Sequence, residues 1–217
     1  MPNPIEQPEK MIRVDARRPD QDLIQKAGKI LTRNGVVIFP AQCLYGVAAN
    51  ALKPDAVEKV FRLKHRPGDN PILVLIRDRK DLKDLVKTVP SSAERLMRRF
   101  WPGSITLVFE AAGHISPRLT ANSGKIGIRL PGHPVARALV NAVDFPLTGT
   151  SANLSGQPGC NRASDLPPSI VEDADMILDA GPVRGGQGSS IVDVTGPSIS
   201  ILRHGAVSEE DIHLALS

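Results

Sequence analysis

Short apolar segments alternate with segments of helical spacing along the chain, and this alternation constrains the fold most. A helix from Asp20, with apolar residues at helical spacing as far as Gly35, precedes a buried strand from Val36 to Phe39. A second helix, from Pro54 to Arg66, precedes a strand from Ile72 to Ile76. Strands that alternate with helices in this way are typical of an α/β sheet.

The rest of the chain continues the pattern. Further helices are predicted at 81–89, 91–100, 133–143 and 209–216, and further strands at 105–109, 125–130, 146–151, 176–178, 190–194 and 198–203. Close spacing of the last strands favours antiparallel pairing in part of the sheet. We therefore predict a single α/β domain over residues 11–217, with a twisted mixed sheet and flanking helices. Residues 1–10, with three prolines, are predicted to form a flexible arm.

Composition narrows the function classes. The 217 residues are 41% hydrophobic and carry a net charge of +4, which allows an anionic partner such as a nucleotide or RNA. Aromatic residues make up 3%, too few for a surface that stacks bases on exposed rings. Neither a membrane span of roughly 18–20 apolar residues nor a signal peptide is apparent, and two cysteines are too few for a disulfide scaffold. These features predict a cytoplasmic protein without a membrane partner.

Several common catalytic and binding motifs are missing from the sequence. It has no P-loop, no Rossmann glycine signature, no Gly-x-Ser-x-Gly elbow and no His or Cys spacing typical of a metal site, so no metal held by protein side chains is predicted. The glycine-rich segment from Gly181 to Gly188 is not followed by a helix. We interpret it as a mobile loop that could act as a lid, with a direct phosphate cradle as the alternative.

Two cations lie at the end of the helix predicted from Pro54. Lys64 continues the apolar stripe of the helix at seven residues from Val57, where a core residue is expected, and Arg66 follows it. The pair could converge on one anion. Alternatively, both side chains merely complement the helix dipole at its C-terminus, which the local spacing alone favours.

Polar side chains also follow or end predicted strands elsewhere. Ser151 and Asn153 come at the end of the strand 146–151, where ligands usually bind in α/β sheets, although an ordinary turn would use the same residue types. Arg129 lies on the basic face of its strand, and Arg203 ends another strand. Together with Lys64 and Arg66 they could face one cavity suited to polyphosphate, unless each arginine pairs with an acidic residue.

The order of the motifs resembles the YrdC family. These motifs are Phe39-Pro-Ala-Gln-Cys-Leu-Tyr-Gly46, Lys64-x-Arg-Pro67 with Asn70-Pro71, Trp101-Pro-Gly103, Arg129-Leu-Pro131, Ser151-x-Asn-Leu-Ser-Gly156, Ser189-Ser-Ile-Val-Asp193 and Leu202-Arg-x-Gly205. The resemblance spans about residues 11–216. It implies a mixed α/β sheet with a basic concave cavity. It also implies synthesis of threonylcarbamoyl-AMP from L-threonine, bicarbonate and ATP with Mg²⁺, for the threonylcarbamoyl modification of tRNA.

The resemblance also assigns roles to residues. It implies catalytic roles for Lys64 and Arg66, which with Mg²⁺ would stabilise the departing pyrophosphate. It implies an ATP site formed by Arg66, Asn70, Ser151, Asn153 and Arg203. It implies a threonine site formed by Cys43, Arg129 and Ser189 or Ser190.

Three positions depart from the family pattern. Ala41 and Cys43 stand where the family has Thr and Thr or Ala on the first strand, and Leu75 stands where some members carry His. All three are expected on the amino-acid side of the cavity. Loss of the hydroxyl at position 41 predicts weaker threonine binding by roughly 0.5–1.5 kcal/mol, the size of one net hydrogen bond.

Two other functions compete with the synthase. One is an RNA-binding module, for which Arg95, Arg98 and Arg99 lie on one predicted helix face, although a solvated face is the ordinary explanation for such a triplet. The other is a relative of the YciO branch that kept the fold and binds nucleotide without the reaction. The expected partners are the small substrates, a downstream threonylcarbamoyl-transfer complex and, weakly, RNA. The sequence leaves the oligomeric state and the redox sensitivity of Cys43 open.

Overall fold

The computed structural model of the chain describes residues 10–217, so the predicted arm lies outside the described residues except for Lys10. The α-helices in this part are α1 (Gln21–Thr32), α2 (Pro54–Leu63), α3 (Ser91–Phe100), α4 (Pro117–Thr120), α5 (Pro134–Asn141), α6 (Pro168–Asp173) and α7 (Glu209–Leu214). Two 3-10 helices cover Arg79–Asp84 and Ala163–Asp165.

The strands are β1 (Met11–Arg13), β2 (Val37–Pro40), β3 (Tyr45–Ala48), β4 (Val74–Leu75), β5 (Ile105–Glu110), β6 (Lys125–Arg129), β7 (Leu147–Thr148), β8 (Thr150–Ser151), β9 (Met176–Asp179), β10 (Ser190–Asp193) and β11 (Ser200–Arg203). The first sheet has the order β1-β9-β2-β3-β8, and the second has the order β11-β10-β5-β6-β4-β7. Both combine parallel and antiparallel pairs. The predicted mixed α/β class is confirmed, with the strands divided between two sheets instead of one.

The two sheets are joined at Gly149. The strand predicted over 146–151 is two short strands: β7 pairs with β4 in the second sheet, and β8 pairs with β3 in the first. A Cβ atom on Gly149 would lie 2.6 Å from Leu73 Cδ1 and 2.7 Å from Leu75 Cγ. The chain can therefore pass this closely from one sheet to the other only with glycine at this position.

Helices cover the outer faces of the sheets. Helices α1 and α5 pack on each other and on β2, with Leu31 and Leu139 buried in the cluster they share. Helix α2 packs against α4 and α6 and contributes Val57, Val60 and Phe61 to the larger core. The apolar stripe predicted for the helix from Pro54 is therefore its buried face.

The helix predicted over 81–89 is wrong. The segment forms a short 3-10 helix that begins after Asp78, whose side chain and that of Asp81 form a capping box. Leu85 accepts a hydrogen bond from Ala112 N–H, and Val86 forms an antiparallel bridge with Ala111. Backbone pairing with a distant segment thus ends the helical turn that the local spacing favours.

Candidate active site

A cavity of about 640 Å³ takes lining residues from both sheets. Among the described residues that line it, four are cationic and none is Asp or Glu; the cations are Arg66, Lys125, Arg129 and Arg203. Lys125 forms an ion pair with Asp193 at 2.7 Å, so its charge is matched locally. The three arginines leave the cavity with positive charge that an anionic ligand could neutralise.

Arg129 is the most deeply buried of these cations. It ends β6, where it is 9% exposed, and its Nε has no hydrogen-bond partner in residues 10–217. No carboxylate of the described residues lies within ion-pair distance of its guanidinium. Burial lowers the pKa of Arg129 to about 10, and the Cys43 thiol opposes this shift. A buried cation without a partner costs folding free energy, so the site is suited to a ligand that brings a negative charge.

A hydroxyl pair and Arg203 form the neighbouring part of the lining. Thr106 Oγ1 lies 2.9 Å from Ser189 Oγ, and both residues are buried. Arg203 donates to the Ser189 carbonyl through Nε at 3.1 Å and Nη2 at 2.8 Å, and to Ser189 Oγ at 3.2 Å. Burial lowers the pKa of Arg203. These bonds fix Arg203 at the cavity while leaving its remaining donor nitrogen for a ligand.

Arg66 is placed by the turn that ends α2. Lys64 is the last residue in helical geometry, His65 has a left-handed φ of 48°, and Arg66 N–H donates to the Phe61 carbonyl at 2.9 Å. Together with the bond from His65 N–H to Arg62 O, this is a Schellman turn. It turns the chain so that Lys64 and Arg66 leave the helix in different directions.

The Arg66 guanidinium lines the cavity and braces the loop that follows. It donates to the Asn70 carbonyl at 3.1 Å and to the Pro71 carbonyl at 2.8 Å. Burial lowers the pKa of Arg66, with a further contribution from the charge of Arg203. A bound polyphosphate would offset the unfavourable interaction between the positive charges of Arg66 and Arg203.

Lys64 is 1% exposed and does not line the cavity. Its Nζ donates to the carbonyls of Ser151 and Asn153, the latter at 2.6 Å, and Ser155 N–H returns a bond to the Lys64 carbonyl at 2.9 Å. Burial lowers the pKa of Lys64 to about 7, and the charge of Arg66 adds to the shift. The Lys64 side chain thus anchors the 151–155 segment through hydrogen bonds to its backbone.

Asn153 serves the same segment. Its Nδ2 donates to the carbonyls of Leu154 at 2.8 Å and Gln157 at 2.6 Å, and its Oδ1 lies 3.4 Å from Lys64 Nζ. Ser151, at the end of β8, lines the cavity. The two residues of the Ser-x-Asn pair therefore have different roles. Ser151 lines the cavity, and Asn153 stabilises the loop by hydrogen bonds to its carbonyls.

The segment from Gly181 to Gly188, predicted to be a mobile loop, is bonded to the turn after β2. Arg184 N–H donates to Gln42 O at 3.3 Å and Gly185 N–H to Cys43 O at 2.9 Å. The Tyr45 hydroxyl, buried in β3, donates to Gly181 O at 2.7 Å. Tyr45 belongs to the first motif of the family resemblance and had no predicted role. The sequence gives no local signal that its hydroxyl anchors a segment so far along the chain.

The ten predicted site residues fall into two groups. Six line the cavity: Cys43, Arg66, Arg129, Ser151, Ser189 and Arg203. Four do not: Lys64, Asn70, Asn153 and Ser190. Ser190 is fully buried, and its hydroxyl donates to Val207 O at 2.6 Å, so of the two serines proposed for threonine only Ser189 reaches the cavity. Thr106 was not predicted, although a polar residue inside the apolar run 105–109 was a usable signal.

Other predicted features lie outside the cavity. Within residues 10–217, no group of three His, Cys, Asp or Glu residues is arranged to hold a metal ion, and no helix is both long and apolar enough to cross a membrane. Arg95, Arg98 and Arg99 are exposed on α3, and Arg95 donates to the Leu216 carbonyl. RNA binding by this face stays a prediction.

Known proteins resemble this chain over most of its length. Residues 29–205 match the Sua5/YciO/YrdC family, whose model carries the description telomere recombination. The threonylcarbamoyl-AMP synthase of Bacillus subtilis is 38% identical over 89% of this chain and 56% of that protein. A putative threonylcarbamoyl-AMP synthase of Mycobacterium tuberculosis is 34% identical over 91% of this chain and 90% of that protein. The chain thus spans about half the length of some curated relatives and nearly all of others.

Solved structures agree with the fold. The crystal structure of Pyrococcus abyssi Sua5 complexed with L-threonine superposes with a TM-score of 0.89 at 32% identity, over 95% of this chain and 60% of that one. Escherichia coli YciO, at 24% identity and a TM-score of 0.81, shares the fold over 94% of this chain and 99% of its own. The family match covers well over half of the sequence, and the chain belongs to the Sua5/YciO/YrdC family.

Proposed function

We propose that this chain is a threonylcarbamoyl-AMP synthase, which joins L-threonine, bicarbonate and ATP into threonylcarbamoyl-adenylate and pyrophosphate. The names of the relatives support this assignment. The observation that carries it is Arg129, a buried guanidinium without an acidic partner among residues 10–217, in a cavity that two further arginines share. Such a site suits an amino-acid carboxylate beside a polyphosphate.

The cavity divides naturally between the two larger substrates. ATP is assigned to Arg66, Ser151 and Arg203, which combine bidentate donors with a small hydroxyl. Asn70 and Asn153, predicted as ATP ligands, act in this proposal through the loops they belong to. Threonine is assigned to Arg129, Ser189 and Cys43, and its recorded binding by Pyrococcus abyssi Sua5 supports such a site in the family.

The reaction needs positioning and charge neutralisation and no covalent enzyme intermediate. The threonine amine attacks the bicarbonate carbon, and water leaves as the carbamate forms. A carbamate oxygen then attacks the α-phosphorus of ATP, and the bond to pyrophosphate breaks. Arg66 and Arg203 neutralise the charge on the phosphates during this step. Lys64 is given a positioning role in place of the predicted contact with pyrophosphate, because its ammonium is occupied by the carbonyls of Ser151 and Asn153.

The remaining substrates and partners follow from this chemistry. Mg²⁺ belongs to the nucleotide substrate, since ATP reacts as its magnesium complex and the cavity lining described here offers no Asp or Glu ligand. The adenylate is labile and must pass to a threonylcarbamoyl-transfer complex that modifies tRNA. These substrates also support the predicted cytoplasmic location.

The test is pyrophosphate release by the purified chain with ATP, Mg²⁺, bicarbonate and a panel of amino acids, each component being omitted in turn. We expect release to require threonine and bicarbonate together. Release that is independent of bicarbonate, or ATP binding without release under any combination, would overturn the assignment. The second outcome would favour the YciO-like alternative that binds nucleotide without the reaction.

A further inference from the structure

The floor of the cavity around Arg129 is chemically asymmetric. On the β5 side lies Thr106, whose hydroxyl is bonded to that of Ser189. On the β4 side Leu75 is the direct register partner of Arg129. An anion held by Arg129 therefore has hydroxyl groups on one side and hydrocarbon on the other.

The hydrocarbon side is continuous with the core. Phe39, Ala41, Leu73 and Leu75 belong to one apolar cluster, and all four also line the cavity. We call these four residues the apolar wall. Leu73 and Leu75 lie against Gly149, where even a Cβ atom would come within 2.6 Å of Leu73 and 2.7 Å of Leu75. Both leucines therefore pack closely against the backbone at Gly149.

The apolar wall offers no side-chain hydrogen bond. Cys43 also lines the cavity, and its buried thiol influences the pKa of Arg129. A thiol is a weak donor and a weak acceptor. A threonine hydroxyl directed to this side therefore exchanges its hydrogen bonds with water for contacts with carbon and, at best, sulfur.

An amino acid bound with its carboxylate on Arg129 has a preferred orientation. Its amine needs acceptors, which the Thr106 and Ser189 hydroxyls supply, so its side chain faces the apolar wall. A site without a partner for a hydroxyl cannot strongly reject an isostere that carries a methyl group in its place. From this geometry we infer that the amino-acid site accepts β-branched aliphatic amino acids, valine first among them, at least as readily as threonine.

This inference rests on the proposed function and extends its substrate class. With valine the same bonds form and break: the amine attacks bicarbonate with loss of water, and the carbamate oxygen displaces pyrophosphate from ATP. The product is valylcarbamoyl-adenylate in place of the threonyl compound. No further reactant is required.

The test is equilibrium binding of threonine, valine, serine and alanine to the full chain by calorimetry, without ATP, alongside pyrophosphate release with each amino acid. We expect the dissociation constant for valine to be no higher than that for threonine. Ala41→Thr and the near-isosteric Cys43→Ser each add a hydroxyl beside the site. They should shift the preference towards threonine by about 2-fold to 10-fold, the effect of one hydrogen bond. Ala16→Thr, outside the cavity lining, is the matched control and should leave the ratio unchanged.

Two measurements separate this inference from the proposed function. If valine and threonine bind equally but no amino acid supports pyrophosphate release, the synthase assignment fails and the apolar subsite stands. If threonine binds more tightly than valine, or if no amino acid binds, the apolar subsite is overturned. Threonine-dependent release combined with tighter binding of threonine would leave the synthase assignment intact.

Discussion

The Lys64 ammonium contacts Asn153 twice, at 2.6 Å from its carbonyl oxygen and at 3.4 Å from Oδ1. It also donates to the Ser151 carbonyl. A lysine from the end of α2 thus occupies acceptors in the loop that presents Ser151 to the cavity. Lys64 therefore affects the substrates indirectly, by positioning the backbone of this loop.

Lys64→Met tests this arrangement, because methionine keeps the length and removes the donor. The buried Asn153 carbonyl and the part-buried Ser151 carbonyl lose their partner, at a cost of about 1–3 kcal/mol each, and relief of the buried charge offsets part of that cost. We expect a lower melting temperature together with a loss of turnover. The Lys-x-Arg pattern by itself predicts loss of turnover with nearly unchanged stability. The melting temperature measured by calorimetry distinguishes a positioning role of Lys64 from a role in turnover alone. Lys26→Met on the exposed face of α1 is the control.

The pH dependence of stability gives a second test of Lys64. Its pKa is about 7 in the folded chain, below the ordinary lysine value, so the unfolded chain binds more protons between pH 7 and about 10. The contribution of Lys64 to the free energy of unfolding therefore rises with pH across this window, by at most about 1.4 kcal/mol per pH unit. Urea denaturation at pH 7 and pH 9 should show the wild-type chain gaining stability over Lys64→Met. A gap that narrows with pH would contradict the assigned burial of the charge.

Local spacing predicted the burial of Lys64 but not its partners. The position seven residues after Val57 already places the side chain on the apolar face of α2. The turn at His65 and the return of the 151–155 segment bring acceptors to it from far along the chain. Periodicity carries no information on such non-local contacts.

The serine pair 189–190 shows a second limit. Two adjacent serines in an extended segment must face opposite sides. Pairing of β10 with β5 and β11 decides that Ser189 faces the cavity and Ser190 the interior. The local sequence around the two serines does not reveal which strands lie next to β10. The mixed α/β class could be predicted, because each strand and helix has its own periodicity.

Arg66→Ala removes a cavity cation whose structural bonds are few. We expect kcat/KM for ATP to fall by at least about a hundredfold, because a charged contact to the phosphates is lost in the transition state. Stability should change by only about 1 kcal/mol, since the lost bonds to the Asn70 and Pro71 carbonyls are partly exposed. Steady-state kinetics with varied ATP measure the first effect. Arg62→Ala, an exposed arginine of α2, should leave both quantities unchanged.

Tyr45→Phe removes the hydroxyl that donates to Gly181 O and accepts from Ala180 N–H at 3.1 Å. We expect faster hydrogen exchange of amides in 181–188 and a stability loss of about 1–2 kcal/mol, because buried backbone groups lose a partner. The KM for the substrates should rise, since Gln187 and Gly188 line the cavity. Amides of β5 serve as the internal reference. Unchanged exchange in 181–188 would show that the backbone bonds to Gln42 and Cys43 suffice to hold the segment.

Arg129→Met separates binding from stability most sharply. Arg129 is 9% exposed, and within the described part of the chain its Nε is unpaired and no carboxylate pairs with it. An apolar side chain of similar length therefore removes a buried charge without leaving a described acidic partner behind. Replacement of a whole buried ion pair by apolar side chains is often neutral or stabilising by about 1–4 kcal/mol, and here too no charge would be left uncompensated. We expect a higher midpoint of urea denaturation together with the loss of amino-acid binding and of amino-acid-dependent pyrophosphate release.

Arg203→Met provides the contrast, because Arg203 donates three bonds to Ser189 and its removal should not stabilise the chain.

The pKa of about 10 also determines how Arg129 responds to pH. Amino-acid binding that depends on its charge should persist to pH 9 and decline as the pH rises through about 10. A destabilised Arg129→Met that still binds threonine would mean that the guanidinium serves the fold and not the carboxylate. A buried guanidinium without a partner among the described residues predicts instead a stabilised Arg129→Met that no longer binds threonine.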